Sequence, residues 1–113
     1  MNLWFAPMEA IAKYQQALKI VQELGLRVEE AETFMDIGGV YNLLSETENA
    51  LKFYKQALTI WQELDQPLFQ ASVISLIGDV FSGRGEHREA LKYFNQAQLI
   101  FRAQKQYRFL AIN

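Results

Sequence analysis

Between Ala50 and Leu64 the apolar residues are Ala50, Leu51, Phe53, Tyr54, Ala57, Leu58, Ile60, Trp61 and Leu64. At 3.6 residues per turn these spacings return to one side of a helix, so the segment predicts an amphipathic α-helix. Lys52, Lys55, Gln56, Gln62 and Glu63 fall on its wet face. Ser45 followed by Glu48 predicts a capping box at its start, and Asp65-Gln66-Pro67 predicts its end. The stretch from Pro67 to Ser82 is apolar on a wider face (Leu68, Phe69, Val73, Ile74, Ile77, Val80), which predicts a helix covered by neighbours on two sides. "SGRGE" (Ser82–Glu86) then predicts a glycine turn. Read in this way, the chain predicts helices over 8–24, 28–44, 47–64, 67–82 and 87–104, a helical stub from about 106, and no strand.

The helices repeat. "EAIAKYQQALKIV" begins at Glu9, "NALKFYKQALTIW" at Asn49 and "EALKYFNQAQLIF" at Glu89, a period of forty residues. Helix, turn, helix, turn at a fixed period predicts an all-α fold, an α-solenoid of antiparallel helix pairs with about two and a half repeats. Gly38 and Gly78 fall inside predicted helices, where glycine costs about 1 kcal/mol relative to alanine. Both are followed by the same series: an aromatic (Tyr41, Phe81), an alanine (Ala50, Ala90), an aromatic (Tyr54, Phe94) and an alanine (Ala57, Ala97). Small residues let two helices cross closely while aromatics fill the space beside them, so each glycine is expected to lie buried at a crossing.

This order of small and large positions resembles the tetratricopeptide repeat, in the forty-residue form of kinesin light chains, spindle-orientation adaptors and bacterial multi-repeat proteins. The resemblance covers essentially the whole chain. It rests on three registers that agree at Ala10/Ala50/Ala90, Tyr14/Tyr54/Phe94 and Ala17/Ala57/Ala97. The chain departs from the usual pattern at Phe34 and Ile74, where tryptophan is common, at Pro67, which has moved into a connection, and at Gln98, which replaces the leucine of Leu18 and Leu58. The resemblance implies one domain: a partial repeat over 1–33, a repeat over 34–73, and a repeat over 74–113 that ends in the stub of a further helix.

The resemblance also implies a function. It makes the chain a protein-interaction scaffold that holds a peptide or helical segment in a concave groove lined by the first helix of each pair. Carried over by position, the groove residues are Glu32, Met35, Asp36, Gly39, Asn42 and Leu43 in one repeat, and Ser72, Ser75, Leu76, Asp79 and Ser82 in the next. Relatives that clamp a C-terminal carboxylate use lysine, arginine and asparagine, whereas the matching places here hold Met35, Gly39, Ser75 and Asp79. The asparagine that many forty-residue adaptors carry just before a Leu-Gly pair is replaced by Asp36 and Leu76. What is left is a groove of small residues with acidic points at Asp36 and Asp79, suited to a segment carrying an occasional Lys or Arg.

Composition narrows the classes. The 113 residues are half hydrophobic and 21% charged, with a formal net charge of −2, which suits one globular domain. Eleven basic and thirteen acidic residues are mixed along the chain with no evident basic stripe, so nucleic acid is not an expected partner. No cysteine is present, which excludes disulfides and thiolate chemistry and fits a reducing cytoplasm. "MNLWFAPM" has no basic lead-in and does not read as a signal peptide, and no apolar run is long enough to span a membrane.

Catalytic chemistry is not apparent. His87 is the only histidine, at an expected exposed helix start. Glu29, Glu30 and Glu32 are placed to favour a helix N-terminus rather than to hold a metal. Gly38-Gly39 and Gly83-Arg84-Gly85 lack the Lys-Ser/Thr of a phosphate loop, and Trp4 and Trp61 are expected to fill core. The reading is a non-enzymatic module with no cofactor or metal. Shifted by forty, Met1–Phe5 aligns with Tyr41–Ser45 and Gln106–Asn113 with Gln66–Val73, so neither end carries a polar capping helix. Ile11, Tyr14, Leu18 and Val21 at one end, and Phe109, Leu110 and Ile112 at the other, are expected to lack cover, which predicts homo-oligomers through the uncapped ends. The rival to a peptide scaffold is accordingly a structural, self-assembling module or a piece of a larger array.

Overall fold

A computed structural model describes residues 3–112, and the side chains of residues 3–110. Five helices follow one another: α1 (Phe5–Glu23), α2 (Arg27–Leu43), α3 (Thr47–Glu63), α4 (Pro67–Gly83) and α5 (His87–Ile112). No strand occurs among the described residues. Helix starts at 27, 47, 67 and 87 are twenty apart, so the forty-residue period divides into two equal halves.

The links explain this regularity. In each, one residue takes a left-handed backbone: Gly25 (φ 70°), Ser45 (60°), Asp65 (52°) and Gly85 (80°). The Ser45 N–H donates to the Asn42 carbonyl at 3.0 Å, and the Glu46 N–H donates to the Tyr41 carbonyl at 2.9 Å. The same two bonds recur at Gly25/Leu26, Asp65/Gln66 and Gly85/Glu86. This is the Schellman closure, which satisfies carbonyls left open at a helix end. The carbonyls of Leu26, Glu46, Gln66 and Glu86 then accept from Glu30, Ala50, Gln70 and Ala90, one turn into the next helix. One residue therefore closes one helix and opens the next, and the link needs only three residues.

Three expectations need correction. Ser45 does not cap α3; it supplies the left-handed turn that ends α2, and Glu46 takes the place before Thr47. Helix α1 begins at Phe5 rather than residue 8, because Pro7 lies in the first turn, where its missing N–H has no helical partner to lose. Most consequentially, no separate stub follows residue 104: α5 runs unbroken from His87 to Ile112. Residues 63–67 read Glu-Leu-Asp-Gln-Pro, whereas residues 103–107 read Ala-Gln-Lys-Gln-Tyr. Lys105 stands twenty residues beyond Gly85, where a left-handed backbone would cost a lysine about 1–2 kcal/mol, and no proline follows. Continuing the helix costs less than turning.

Two compact units divide the chain between Ile60 and Trp61. In the first, α1 packs on α2 and α2 crosses α3. Gly38 is buried, and a Cβ there would stand 2.8 Å from Cδ1 and Cε1 of the Tyr54 ring and 3.3 Å from the Ala50 carbonyl oxygen. Tyr41 stacks on Phe53 beside this crossing, with centroids 5.6 Å apart. In the second unit α4 packs on α5, and a Cβ on Gly78 would stand 2.7 Å from the Phe94 ring. Phe81 stacks on Tyr93 at 5.3 Å, the same pair forty residues later with its aromatic types exchanged. Trp61, 1% exposed, stacks on Phe69 at 4.5 Å.

Cover over the first helix is better than the end alignment implies. Ile11 is buried, and Tyr14, Leu18 and Val21 are half-buried, because α1 packs on α2. The side left open instead holds Ala17 and Ile20: Ile20 is 56% exposed where Ile60, forty residues on, is 3% exposed. At the other end Phe109 and Leu110 are exposed as expected, while the side chain of Ile112 lies outside the described residues.

Candidate functional site

Helices α2 and α4 bury matching positions, Ala31, Phe34, Ile37 and Gly38 on the first and Ala71, Ile74, Ile77 and Gly78 on the second. Spacing of three and four keeps these on one side of each helix and leaves another side open. That open side carries the residues the sequence singled out. Glu32, Asp36 and Leu43 are exposed and Met35, Gly39 and Asn42 half-buried on α2; Asp79 is exposed and Ser72, Ser75, Leu76 and Ser82 half-buried on α4. None of the eleven is buried. Six therefore share the accessible part of α2 in the first unit, and five share that of α4 in the second.

The two surfaces differ in chemistry. On α2, Glu32 and Asp36 have no ion-pair partner among the described residues. Partial burial raises the Asp36 carboxyl above its ordinary value of 3.8, since shielding from water disfavours the charged form. A Cβ on Gly39 would meet only the Tyr54 hydroxyl, at 3.7 Å, so this point of the surface is shallow but not closed. On α4 the one charge in the set is Asp79, and the Ser72 hydroxyl donates back to the Leu68 carbonyl of its own helix at 3.0 Å.

Glu29 belongs to the α2 surface and was missed as a groove residue. It is exposed, three residues before Glu32 and seven before Asp36, so helical spacing alone could have placed it there. Glu30 separates from its neighbours instead. It is buried, taking a 2.7 Å ion pair from Arg27 Nη1 and a 3.2 Å hydrogen bond from Gln22 Nε2, which ties the end of α1 to the start of α2. The three glutamates thus split into one structural residue and two surface ones.

Other candidates also resolve. His87 opens α5 and is exposed. Gly83 ends α4, Arg84 caps it and Gly85 makes the left-handed turn, which accounts for the Gly-Arg-Gly run. Trp61 fills core as expected, but Trp4 does not: it is 50% exposed and lines an open hollow of about 510 Å³ with Leu3, Pro7, Leu43, Leu44 and Ser45. Among the described residues no three His, Cys, Asp or Glu side chains converge as metal ligands would. None of the described helices is long and apolar enough to cross a membrane.

One charge pattern escaped the composition argument. After Glu89 the chain carries Lys92, Arg102, Lys105 and Arg108 and no acid, whereas residues 28–48 carry six acids and no base. An even balance over the whole chain conceals this asymmetry.

Paired helices joined by three-residue links, with a glycine where α2 crosses α3 and where α4 packs on α5, define a helical-repeat module. The tetratricopeptide repeat family model matches residues 7–63 and 29–103, and the chain belongs to that family. The fold is therefore an all-α solenoid class of antiparallel helix pairs, about two and a half repeats long. Repeats of this family generally mediate protein–protein interactions and are generally not enzymes. No curated protein matches the chain.

Proposed function

We propose that this chain binds a protein or peptide segment through the open sides of α2 and α4, and that it has no catalytic activity of its own. The observation that carries the reading is that none of the eleven positions implied by the repeat is buried, while Ala31, Phe34 and Ile37 on α2 and Ala71, Ile74 and Ile77 on α4 are. Their chemistry sets the kind of partner. Small and polar residues with unpaired acids at Glu32 and Asp36 on α2, and Asp79 on α4, favour an extended or helical segment bearing Lys or Arg. The absence of cysteine from the sequence fits a cytoplasmic setting.

A second reading is a structural module that chiefly associates with other chains. The exposed Ile20 and Leu24 on the first helix side, and Leu91 and Phe101 on α5, favour it. Affinity capture with mass spectrometry, repeated with the Asp36→Lys/Asp79→Lys variant, separates the two. Loss of affinity for a captured partner in the variant supports binding through α2 and α4. An unchanged affinity contradicts it, and recovery of the chain alone favours the structural module.

A further inference from the structure

The last turns of α5 form a stripe that matches the open side of α2 in charge and in spacing. Phe101, Lys105 and Arg108 are exposed and follow one another at intervals of four and three, so they share one side of the helix. Neither Lys105 nor Arg108 has an ion-pair partner among the described residues. With Leu68, Gln104 and Phe109 they line an open hollow of about 540 Å³. An apolar depression rimmed by two cations is thus present within the second unit.

On α2, read from its end backwards, the open side presents Leu43, Gly39 and Asp36, again at intervals of four and three. Leu43 is 83% exposed, and Glu32 and Glu29 continue the acidic side. Laid antiparallel, a rise of about 1.5 Å per residue brings the two helices into one register. With Leu43 opposite Phe101, Gly39 stands opposite Lys105, and Asp36, about 10.5 Å along the axis from Leu43, stands opposite Arg108. Each residue then meets a complement: leucine meets an aromatic, the lysine stem crosses a residue with no side chain, and aspartate meets arginine. Like charges would oppose each other if α2 met a second α2, or α5 a second α5.

We propose that the partner of the α2 surface is a second copy of this chain, whose α5 docks antiparallel on α2 through Phe101, Lys105 and Arg108. The proposal rests on the reading of α2 as a binding surface and specifies one occupant for it. Leu43, Asp36, Phe101, Lys105 and Arg108 are exposed and Gly39 is half-buried, so docking needs no rearrangement of either helix. Its electrostatic part is screened by salt, because the Debye length falls from about 10 Å at 0.1 M to about 3 Å at 1 M.

Charge exchange tests this on the full chain by sedimentation equilibrium, with circular dichroism to confirm that each variant is folded. The wild-type mass is expected to rise with concentration through the micromolar range, less so at high salt. Asp36→Arg alone sets Arg against Arg108, and Arg108→Asp alone sets Asp against Asp36. Each should raise the midpoint of association about tenfold or more. An equimolar mixture of the two variants restores both contacts, one reversed and one native, and should associate as the wild type does. A wild type that stays monomeric, or a mixture no better than either variant alone, overturns the proposal. So does co-sedimentation of the wild type, but not Arg108→Asp, with phosphatidylserine vesicles while self-association is unaffected, which would assign the stripe to a membrane surface. Binding of a different protein that Asp36→Lys/Asp79→Lys abolishes, in a chain that remains monomeric, would leave the α2 and α4 reading standing and reject self-docking.

Discussion

Gly38 lies against the ring of Tyr54 so closely that a Cβ would stand 2.8 Å from two of its carbons. Tyr54 is 2% exposed and has little room to retreat. The glycine therefore sets how near α2 and α3 approach, and through that which side of α2 stays open. Gly78 and Phe94 repeat the relationship in the second unit.

Adjacent glycines should respond oppositely. Gly38→Leu and Gly78→Leu overpack the crossings and should destabilise by about 1–3 kcal/mol or more. Gly39→Ala adds a methyl only 3.7 Å from the Tyr54 hydroxyl, an ordinary contact, and should gain up to about 1 kcal/mol of helix propensity. Urea unfolding of the three variants checks this; equal effects at residues 38 and 39 would contradict the crossing.

The turns make a second prediction. Ser45 and Asp65 hold left-handed backbones that Gly25 and Gly85 adopt without a side-chain penalty. Ser45→Gly and Asp65→Gly should each stabilise by about 1 kcal/mol. Gly25→Ala and Gly85→Ala should cost about as much. Thermal melts of the four variants give the comparison.

Asp36 yields a pH dependence of definite sign. Its pKa is raised in the folded chain, so the folded state holds that proton more tightly than the unfolded state. The resulting penalty is present at neutral pH and is lost as pH falls through the raised value toward 3.8. Asp36→Asn should therefore melt slightly higher than wild type at pH 7, with the difference vanishing below about pH 4. Melting curves across that range decide it; a difference that grows on acidification has the wrong sign.

Much of this was legible because helical spacing, the forty-residue period and the helix-interior glycines all describe one packing arrangement. Gly38 and Gly78 could be placed against Tyr54 and Phe94 from their registers alone. Links were harder. Ser45 is read as an N-cap from its type, but its backbone closes the preceding helix, and only the twenty-residue spacing of Gly25, Ser45, Asp65 and Gly85 reveals this. The length of α5 was hidden for the converse reason. A repeat alignment carries a turn to residue 105, where a lysine would have to take the left-handed backbone and the helix continues instead. Among the site residues, the resemblance to the repeat family supplied the α2 and α4 positions. Glu29 was overlooked although helical spacing sets it with Glu32 and Asp36, while the partners that hold the buried Glu30, Arg27 and Gln22, could not be read from spacing.

The unbroken course of α5 can be interrupted by substitution. Lys105→Gly with Tyr107→Pro supplies a left-handed residue and a helix-starting proline at the places that residues 65 and 67 hold forty residues earlier. The double variant should end the helix near residue 104, seen as lost helical carbon chemical shifts at 105 and 106. An unbroken helix in that variant would show that something other than the local sequence holds α5 straight.

The central claim is that the open sides of α2 and α4 meet a protein, and photocrosslinking tests it most directly. A benzophenone side chain replacing Asp36 or Asp79 should attach to the bound protein, whether a second copy of the chain or another partner. The same group replacing Lys55 on α3 or Arg88 on α5, both exposed, should not. Crosslinks from residues 55 and 88 with none from 36 and 79 would contradict the account.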